Sequence, residues 1–210
     1  MDRWWEFGER AYVSNKFGFQ YEARYTTHDH MPMYLVKATL PNLTVERVEH
    51  FNRNYLHEVA KIETNAKFAR LADYQDCMVT IGRFPMPKLM SDRSYIQIHD
   101  YVKNYGTGVY TDVVTDCGSE AIARNFSCFL AKSTLAKIPF RVIKCTPREG
   151  GGVEIQSSLC FDMAGSMLTG IKNLTIRVAS GSFERVLHYL NSGEIAVEEA
   201  QPQDFDTAIQ

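Results

Sequence analysis

Residues 161–191 constrain the fold most, because they join an alternating strand to the longest amphipathic pattern in the chain. Small and polar residues separate the two parts at Asp162, Gly165 and Ser166, where a strand must give way to a helix. The apolar side chains beyond this break recur at helical spacing: Met167, Leu168, Ile171, Leu174 and Val178, then Phe183, Val186, Leu187 and Leu190. Gly181 interrupts the pattern, so we predict a kinked helix or two helices in series. Such a long apolar stripe needs a cover, which is either other side chains or a bound apolar ligand.

Length and composition indicate one globular domain with a full core. The chain has 210 residues, of which 45% are apolar and 23% charged, close to the average of globular proteins. Its formal net charge of -2 supplies no basic field, so we expect no nucleic-acid partner. The last stretch is acidic and contains no Lys or Arg, which predicts a domain over 1–192 and a disordered acidic tail over 193–210.

The N-terminus and the cysteines favour a cytoplasmic protein. The first residues, MDRWWEFGER, carry charges where a signal peptide has an apolar run, and no window is apolar enough to span a membrane. The five cysteines are widely spaced and include no CxxC pair, so we interpret them as reduced thiols.

The rest of the chain combines short helical segments with a long run of predicted strands. Trp4–Val13 is predicted to be a short helix, residues 18–40 a β-hairpin, and Thr44–Val59 a helix. Beyond that helix the apolar period changes to two, and six or seven strands follow, of which the last is 153–162. Consecutive antiparallel strands followed by a terminal helix predict an α+β fold in which the sheet curls around the helix.

The strand over residues 94–101 alternates between apolar and polar side chains. Its even positions hold isoleucine, and its odd positions hold side chains that can hydrogen bond: Tyr95, Gln97 and His99. In the common interpretation the isoleucines lie in the core and the polar residues face water. In the alternative, both faces are covered and the polar residues line a cavity, where they orient the polar end of a ligand. Periodicity alone favours the first interpretation.

No familiar catalytic or nucleotide-binding motif is present. The chain lacks GxSxG, HExxH, Walker and GxGxxG patterns, and the run Gly150–Gly152 lies between two strands as a predicted hairpin turn. His28, Asp29 and His30 lie in a predicted loop without further partners nearby, so they are only a weak signal for a metal site. We therefore expect no metal, no cofactor and no catalytic site, and hence a protein that is not an enzyme.

Two blocks of the sequence resemble the START domain, the steroidogenic-acute-regulatory-protein-related lipid-transfer family. Residues 84–101, FPMPKLMSDRSYIQIHDY, are similar to the proline-containing loop and following strand of the family, with Arg93 in its arginine position. Residues 161–173, FDMAGSMLTGIKN, are similar to the D-x-x-G-x-x-P-x-x-x-x-N stretch that opens the C-terminal helix. The matching positions of this second block are Asp162, Gly165 and Asn173. The resemblance extends over residues 18–190.

The resemblance implies a helix-grip fold of the START and Bet v 1-like type. In that fold a curved antiparallel sheet wraps around a long C-terminal helix and encloses a hydrophobic tunnel that holds one lipid. It also implies that the odd positions after Arg93 face the tunnel, which reverses the preference from periodicity. The residues expected at the polar end of the lipid are Tyr95, Gln97, His99 and Thr80. Those expected in the apolar wall and lid helix are Met167, Ile171, Leu174 and Val178.

The function implied by the resemblance is intracellular lipid transfer or lipid sensing. The expected partners are one lipid, which is a sterol, ceramide, fatty acid or phospholipid, and a membrane that the protein contacts transiently as a monomer. The chain departs from the family at Ser94, where the family has aspartate. The positions of the phosphocholine contacts fall near Leu56, Ile81 and Thr134, which places a phosphocholine site in doubt.

Two other functions stay open at this point. One is a cyclase-like or other small-molecule enzyme on a related helix-grip fold, in which His99 and either Asp100 or Asp112 act as acid and base. Strand alternation directs Asp100 away from His99, which weakens this hypothesis. The other is an interaction module without lipid transfer, which binds a partner through the acidic tail.

Overall fold

A computed structural model describes residues 5–6, 8–62, 67–74, 77–84, 91–117, 124–126, 130–162 and 182–192. A single sheet of ten strands dominates this part of the chain, and three helices of at least two turns accompany it. The strands are β1 (Glu9–Ser14), β2 (Gln20–His28), β3 (Met31–Leu40), β4 (Lys67–Tyr74), β5 (Cys77–Phe84), β6 (Asp92–Lys103), β7 (Tyr110–Asp116), β8 (Ser133–Leu135), β9 (Lys137–Pro147) and β10 (Val153–Asp162). The helices are α1 (Val45–Arg53), α2 (Tyr55–Ile62) and α3 (182–192).

The strands lie in the order β1-β2-β3-β10-β9-β7-β6-β5-β4, and every neighbouring pair in this order is antiparallel. The pairing of β10 with β3 joins the first strands of the chain to the last. Strand β8 lies off this path and pairs in parallel with the start of β6. The predicted α+β class, with strands in consecutive hairpins and a helix at the end, is confirmed.

Turn residues explain where the hairpins reverse. Asp29 and His30 join β2 to β3 with φ of 48° and 64°, the positive values that a two-residue hairpin turn requires. Between β9 and β10, Gly152 has φ of 77°, and a Cβ there would lie 2.5 Å from the Leu40 carbonyl oxygen. Only glycine suits that close approach, so the predicted turn at Gly150–Gly152 is confirmed.

The prediction of an N-terminal helix over Trp4–Val13 is wrong for most of its length. Residues 5–6 are helical, but Glu9–Ser14 form the edge strand β1. Pairing with β2 provides backbone hydrogen bonds that an isolated short helix lacks, and the aromatic spacing suits either structure. The Trp5 ring lies 4.6 Å from both the Arg24 guanidinium and the Lys37 ammonium, as cation–π contacts on the sheet.

The predicted helix over Thr44–Val59 is present but divided into α1 and α2. Thr44 caps α1, since its hydroxyl oxygen accepts a hydrogen bond from the Arg47 N–H at 3.3 Å. Asn54 ends α1, where its backbone N–H and its side-chain amide donate to the His50 carbonyl at 3.0 and 2.9 Å. The break places Tyr55 at the start of α2, and its ring contacts residues of the sheet.

The two faces of the sheet are both covered where β6 begins. The inner face is defined as the one that packs against α1, α2 and α3, and it carries the main hydrophobic core. On the outer face, Ile81 and Ile96 form a second cluster with residues that include Phe126 and Leu130. Towards the end of β6 the outer face opens, and Val102 is 56% exposed.

Helix α3 is attached to the inner face by apolar and polar contacts. Leu187 and Leu190 are buried in the main core. The Tyr12 hydroxyl donates to Glu184 at 2.9 Å, and the Tyr189 hydroxyl donates to Glu58 on α2 at 2.9 Å. Further contacts are the stacked rings of Phe17 and His188 and the bond from the Asn42 N–H to Asn191. No helix in the described part of the chain is long and apolar enough to cross a bilayer.

Several predictions fall outside the described residues. These are the proline-containing loop at 85–90, the first part of the long helix with Met167, Ile171, Leu174 and Val178, and the acidic tail at 193–210.

Candidate ligand-binding site

A line of polar side chains crosses the inner face of the sheet over four neighbouring strands. It consists of Thr80 on β5, His99 on β6, Asp112 on β7 and Arg141 on β9, and we call these four residues the polar cluster. In the register of the sheet, Val114 pairs with both His99 and Arg141. Asp112 lies two residues before Val114 and is therefore the diagonal neighbour of both.

The side chains of the polar cluster contact one another in sequence. Thr80 Oγ1 lies 3.2 Å from His99 Nε2, within hydrogen-bond distance. His99 Nδ1 lies 3.9 Å from Asp112 Oδ1, which is too far for a hydrogen bond. Arg141 Nη2 donates to Asp112 Oδ2 at 3.3 Å.

The polar cluster is deeply buried. His99 is 1% exposed and Asp112 is fully buried, whereas the side chain of Arg141 retains 15% exposure. Burying a charged pair is costly unless its remaining donors and acceptors are hydrogen bonded. The hydrogen-bond partners of this cluster therefore decide whether it destabilises the folded protein.

Three polar atoms of the cluster have no hydrogen-bond partner among the described residues. They are His99 Nδ1, Asp112 Oδ1 and Arg141 Nε, and all three are buried. A carboxylate oxygen only accepts, a guanidinium N–H only donates, and a neutral imidazole nitrogen does either according to its tautomer. The cluster therefore offers one acceptor, one donor and one atom of either kind to an incoming group.

Burial sets the charges of the cluster. It lowers the pKa of His99 to about 3, with a further contribution from the positive charge of Arg141, so the imidazole is neutral at pH 7. Burial also raises the pKa of Asp112 to about 6, although Arg141 opposes this change. Burial acts to lower the pKa of Arg141, but the nearby Asp112 and Tyr55 outweigh it and raise that pKa. At pH 7 the cluster thus holds one carboxylate and one guanidinium, with no net charge.

Aromatic rings lie beside the polar cluster. The Tyr55 ring lies 5.4 Å from the His99 ring and 5.6 Å from the Arg141 guanidinium carbon. From Tyr55 a row of edge-to-face contacts continues through Phe68, Phe84 and Tyr95, with ring centroids 6.0, 5.1 and 5.7 Å apart. We call these four residues the aromatic row. It gives the inner face beside the polar cluster an apolar lining.

Gly82 makes room for the aromatic row. It faces inward between the two phenylalanines, and a Cβ at this position would lie 3.1 Å from the ring of Phe68 and 3.2 Å from that of Phe84. Since any larger residue would press on both rings, glycine here allows the strand backbone to approach them closely.

The four residues predicted for the polar end of a ligand all lie on the inner face. Thr80 and His99 contact each other, and Gln97 pairs with Thr80 across the strands at 8% exposure. Tyr95 belongs to the aromatic row, and burial raises its pKa to about 12. Ile96 is 2% exposed on the opposite face, so the interpretation in which both faces are covered describes this part of β6. That these residues hold a ligand stays a prediction.

Asp112 and Arg141 were not among the predicted binding residues. The alternation of each strand contains the signal that would have identified them. Asp112 occupies the inward phase between the buried Tyr110 and Val114, and Arg141 shares its phase with the buried Ile143. A charged residue in the apolar phase of a strand is buried and needs a partner, which the pattern of one strand cannot identify.

Comparison with known proteins identifies the fold. No protein-family model and no curated protein sequence matches the chain. Solved structures do match: human STARD10 has a TM-score of 0.68 at 10% identity, covering 88% of this chain and 73% of that one. Human StAR-related lipid transfer protein 5 has a TM-score of 0.65 at 12% identity, with 91% and 92% of the two chains covered. A STAR-related lipid transfer protein fragment from Xanthomonas axonopodis has a TM-score of 0.66 at 15% identity, with 87% and 98% covered.

The chain therefore has a START-like, helix-grip fold, as the resemblance of its sequence blocks implied. At these identities the likeness concerns the fold alone, and the ligand must be inferred from the site.

Proposed function

We propose that this protein binds one lipid on the inner face of its sheet and carries it between membranes. The polar end of the lipid contacts the polar cluster, and its hydrocarbon part lies along the aromatic row. The observation that supports this proposal is a set of three buried polar atoms, on His99, Asp112 and Arg141, that have no hydrogen-bond partner in the described part of the chain and lie beside an apolar wall.

The energetics favour a ligand with one polar end. A buried polar atom without a hydrogen bond costs about 1–3 kcal/mol, which a ligand group that pairs with it recovers. Burying hydrocarbon gains about 0.8 kcal/mol per methylene, so a sixteen-carbon chain contributes roughly 13 kcal/mol. A lipid held this firmly leaves too slowly through water, and its exchange requires direct contact with a membrane.

We expect helix α3 to shift during this exchange. It covers part of the inner face, to which it is attached by the buried Leu187 and Leu190 and by the hydrogen bonds with Tyr12 and Glu58. The lipid-transfer names of the similar human and bacterial structures support the same function. We place the protein in the cytoplasm as a monomer that contacts membranes transiently.

The test is the identification of a bound lipid. Protein purified from its own cells is examined by native mass spectrometry, and the bound material is extracted and identified. One lipid per chain is the expected result. An empty protein that also takes up no fluorescent sterol, ceramide, fatty acid or phospholipid would refute the proposal.

A matched pair of variants then locates the polar end. The double substitution Asp112→Asn with Arg141→Met removes both charges of the cluster and should weaken lipid binding at least tenfold. Lys144→Met is the control, because Lys144 lies on the same strand β9 but is exposed on the outer face. Equal lipid binding by the two variants would show that the lipid does not depend on the polar cluster.

A second candidate function, acid–base catalysis on a small molecule, is favoured by one contact. Of the two aspartates considered as partners of His99, Asp112 approaches its Nδ1 to 3.9 Å, whereas Asp100 is exposed on the outer face. A carrier releases its ligand chemically unchanged, whereas an enzyme converts its ligand to a product. Incubation with the extracted ligand and analysis of the product distinguish them, since only an enzyme would return a changed molecule.

A further inference from the structure

We infer that the polar end of the ligand is an uncharged hydroxyl group and that Asp112 is the residue that imposes this selectivity. This inference rests on the proposed function, because it concerns the same site. Its basis is the pairing of charges in the polar cluster and the identity of the cluster atoms that no described residue pairs with.

The charge balance of the cluster argues against an anionic ligand. A buried guanidinium by itself is the preferred partner of a carboxylate or phosphate, which it binds through two parallel hydrogen bonds. Asp112 already occupies Arg141 Nη2 at 3.3 Å and cancels its charge. A carboxylate or phosphate brought to Arg141 would lie against the Asp112 carboxylate, with little water to screen the repulsion.

The hydrogen-bonding pattern selects among uncharged groups. Within the residues that the structure describes, Asp112 Oδ1 has no donor and Arg141 Nε has no acceptor. These two atoms belong to the carboxylate and the guanidinium that form the 3.3 Å contact. A hydroxyl donates one hydrogen bond and accepts two, so a single hydroxyl carries the donor and the acceptor that these two atoms call for.

Other polar ends satisfy only part of the cluster. A ketone, ester or ether accepts but does not donate, which leaves Asp112 Oδ1 unpaired. An ammonium group donates but does not accept from Arg141, and the quaternary ammonium of phosphocholine has no N–H to donate. The hydroxyl is common to sterols, ceramides, diacylglycerols and long-chain alcohols, so the chemistry is shared by several lipid classes.

Asp112 is the specificity-determining residue because its charge is what neutralises Arg141. In Asp112→Asn the side chain keeps its size but loses the negative charge, and the cluster gains a net positive charge. We expect this variant to accept fatty acids. Asp100→Asn is the matched control, since it is the same chemical change on the exposed outer face of the adjacent strand β6.

The experiment uses ligands that differ only in their polar ends. Hexadecanol, palmitate and hexadecyl methyl ether are offered to the full chain at pH 7.5 from dioleoylphosphatidylcholine vesicles, and bound ligand is counted by native mass spectrometry. The wild type should bind hexadecanol at least tenfold more tightly than palmitate or the ether. Asp112→Asn should bind palmitate at least tenfold more tightly than the wild type does, and Asp100→Asn should not differ from the wild type. Cholesterol, C16 ceramide and dioleoylglycerol are then offered in the same way. Their relative binding shows which class of hydroxyl-bearing lipid the protein prefers.

The outcomes separate this inference from the proposed function. A wild type that binds palmitate as well as hexadecanol overturns the hydroxyl selectivity and leaves lipid binding intact. Unchanged palmitate binding in a folded Asp112→Asn overturns the role of Asp112. If that variant does not fold, the three matched ligands on the wild type still decide the selectivity. A wild type that binds none of the lipids refutes the proposed function and this inference with it.

Discussion

His99 Nδ1 and Asp112 Oδ1 face each other across neighbouring strands at 3.9 Å, and neither has a hydrogen-bond partner among the described residues. The same burial that lowers the pKa of His99 to about 3 raises the pKa of Asp112 to about 6. Two titratable groups in one buried cluster therefore affect stability in opposite directions as the pH changes.

The His99 contribution predicts a loss of stability in acid. Its pKa is depressed in the folded state, so the unfolded chain binds more protons between pH 6.5 and pH 3, and the free energy of unfolding falls as the pH is lowered through that window. In His99→Gln this fall should be shallower by up to about 1.4 kcal/mol per pH unit, measured by urea unfolding at pH 7 and pH 4.5.

The difference in acid sensitivity between the wild type and His99→Gln reports on His99 for two reasons. Asp112 acts in the opposite sense, because its raised pKa makes stability fall as the pH rises from 3.8 to about 6, but it is present in both proteins. His50→Gln is the control, since His50 is exposed on α1. Equal acid sensitivity of the wild type and His99→Gln would contradict the prediction.

We expect the Thr80 hydroxyl to stabilise the folded protein through its hydrogen bond with His99. In Thr80→Val the side chain keeps its shape but leaves His99 Nε2 buried without its 3.2 Å partner, at an expected cost of about 1–3 kcal/mol in the free energy of unfolding. Thr80→Ser is the matched control, because it retains the hydroxyl and loses only a methyl group. Thermal and urea unfolding measure both, and a Thr80→Val protein as stable as the wild type would show that the contact contributes nothing.

The tyrosine–carboxylate contacts should control how firmly α3 is attached. Tyr189→Phe removes the hydrogen bond to Glu58, and Tyr12→Phe removes the one to Glu184. Each loss should cost about 1.5–3 kcal/mol, as for hydrogen bonds to charged groups, and should speed amide hydrogen exchange in 182–192 above that in the sheet. Tyr105→Phe is the control, since Tyr105 is 88% exposed in the β6–β7 turn. If the two substitutions speeded amide hydrogen exchange equally throughout the protein, these hydrogen bonds would not act locally on α3.

Gly82 should tolerate no side chain. In Gly82→Ala the new methyl group meets Phe68 and Phe84 at 3.1 and 3.2 Å, and the two rings must shift within a packed row. Overpacking of this kind costs about 1–3 kcal/mol, which the lower flexibility of alanine offsets by roughly 0.5–1 kcal/mol.

The control for this substitution is Gly106→Ala, whose Cβ would approach only the Asn104 side-chain oxygen, at 3.4 Å. Urea unfolding compares the two variants. Greater stability of Gly82→Ala than of the wild type would mean that the aromatic row has room to relax.

The strands could be predicted well because their signals are local. The predicted last strand, 153–162, coincides with β10, and the Gly150–Gly152 turn precedes it. The N-terminal segment was predicted wrongly, because β1 lies at the edge of the sheet and, in the part of the chain that the structure describes, pairs with β2 alone. A short segment with aromatic residues at mixed spacing becomes a strand when a free sheet edge is available, and that edge is not visible in the segment itself.

The candidate site was predictable only in part, for a related reason. The prediction that Gln97 and His99 lie on the inner face came from the resemblance to a known family, since alternation alone does not say which face of a strand is inside. Their buried neighbours Asp112 and Arg141 each show a charge in the apolar phase of a strand. The sequence of β7 does not indicate that Asp112 pairs with Arg141, and the sequence of β9 does not indicate that Arg141 pairs with Asp112.

The sequence by itself determined most of the elements: turn residues ended the strands, alternation gave each strand two faces, and the apolar spacing from Phe183 to Leu190 predicted the helix over 182–192. Only the tertiary structure decided how these elements meet. Asp112 and Arg141 are 29 residues apart and become diagonal neighbours because β7 pairs with β9. Such pairing is settled by the packing of the whole sheet against its helices, since each strand on its own would accept several partners.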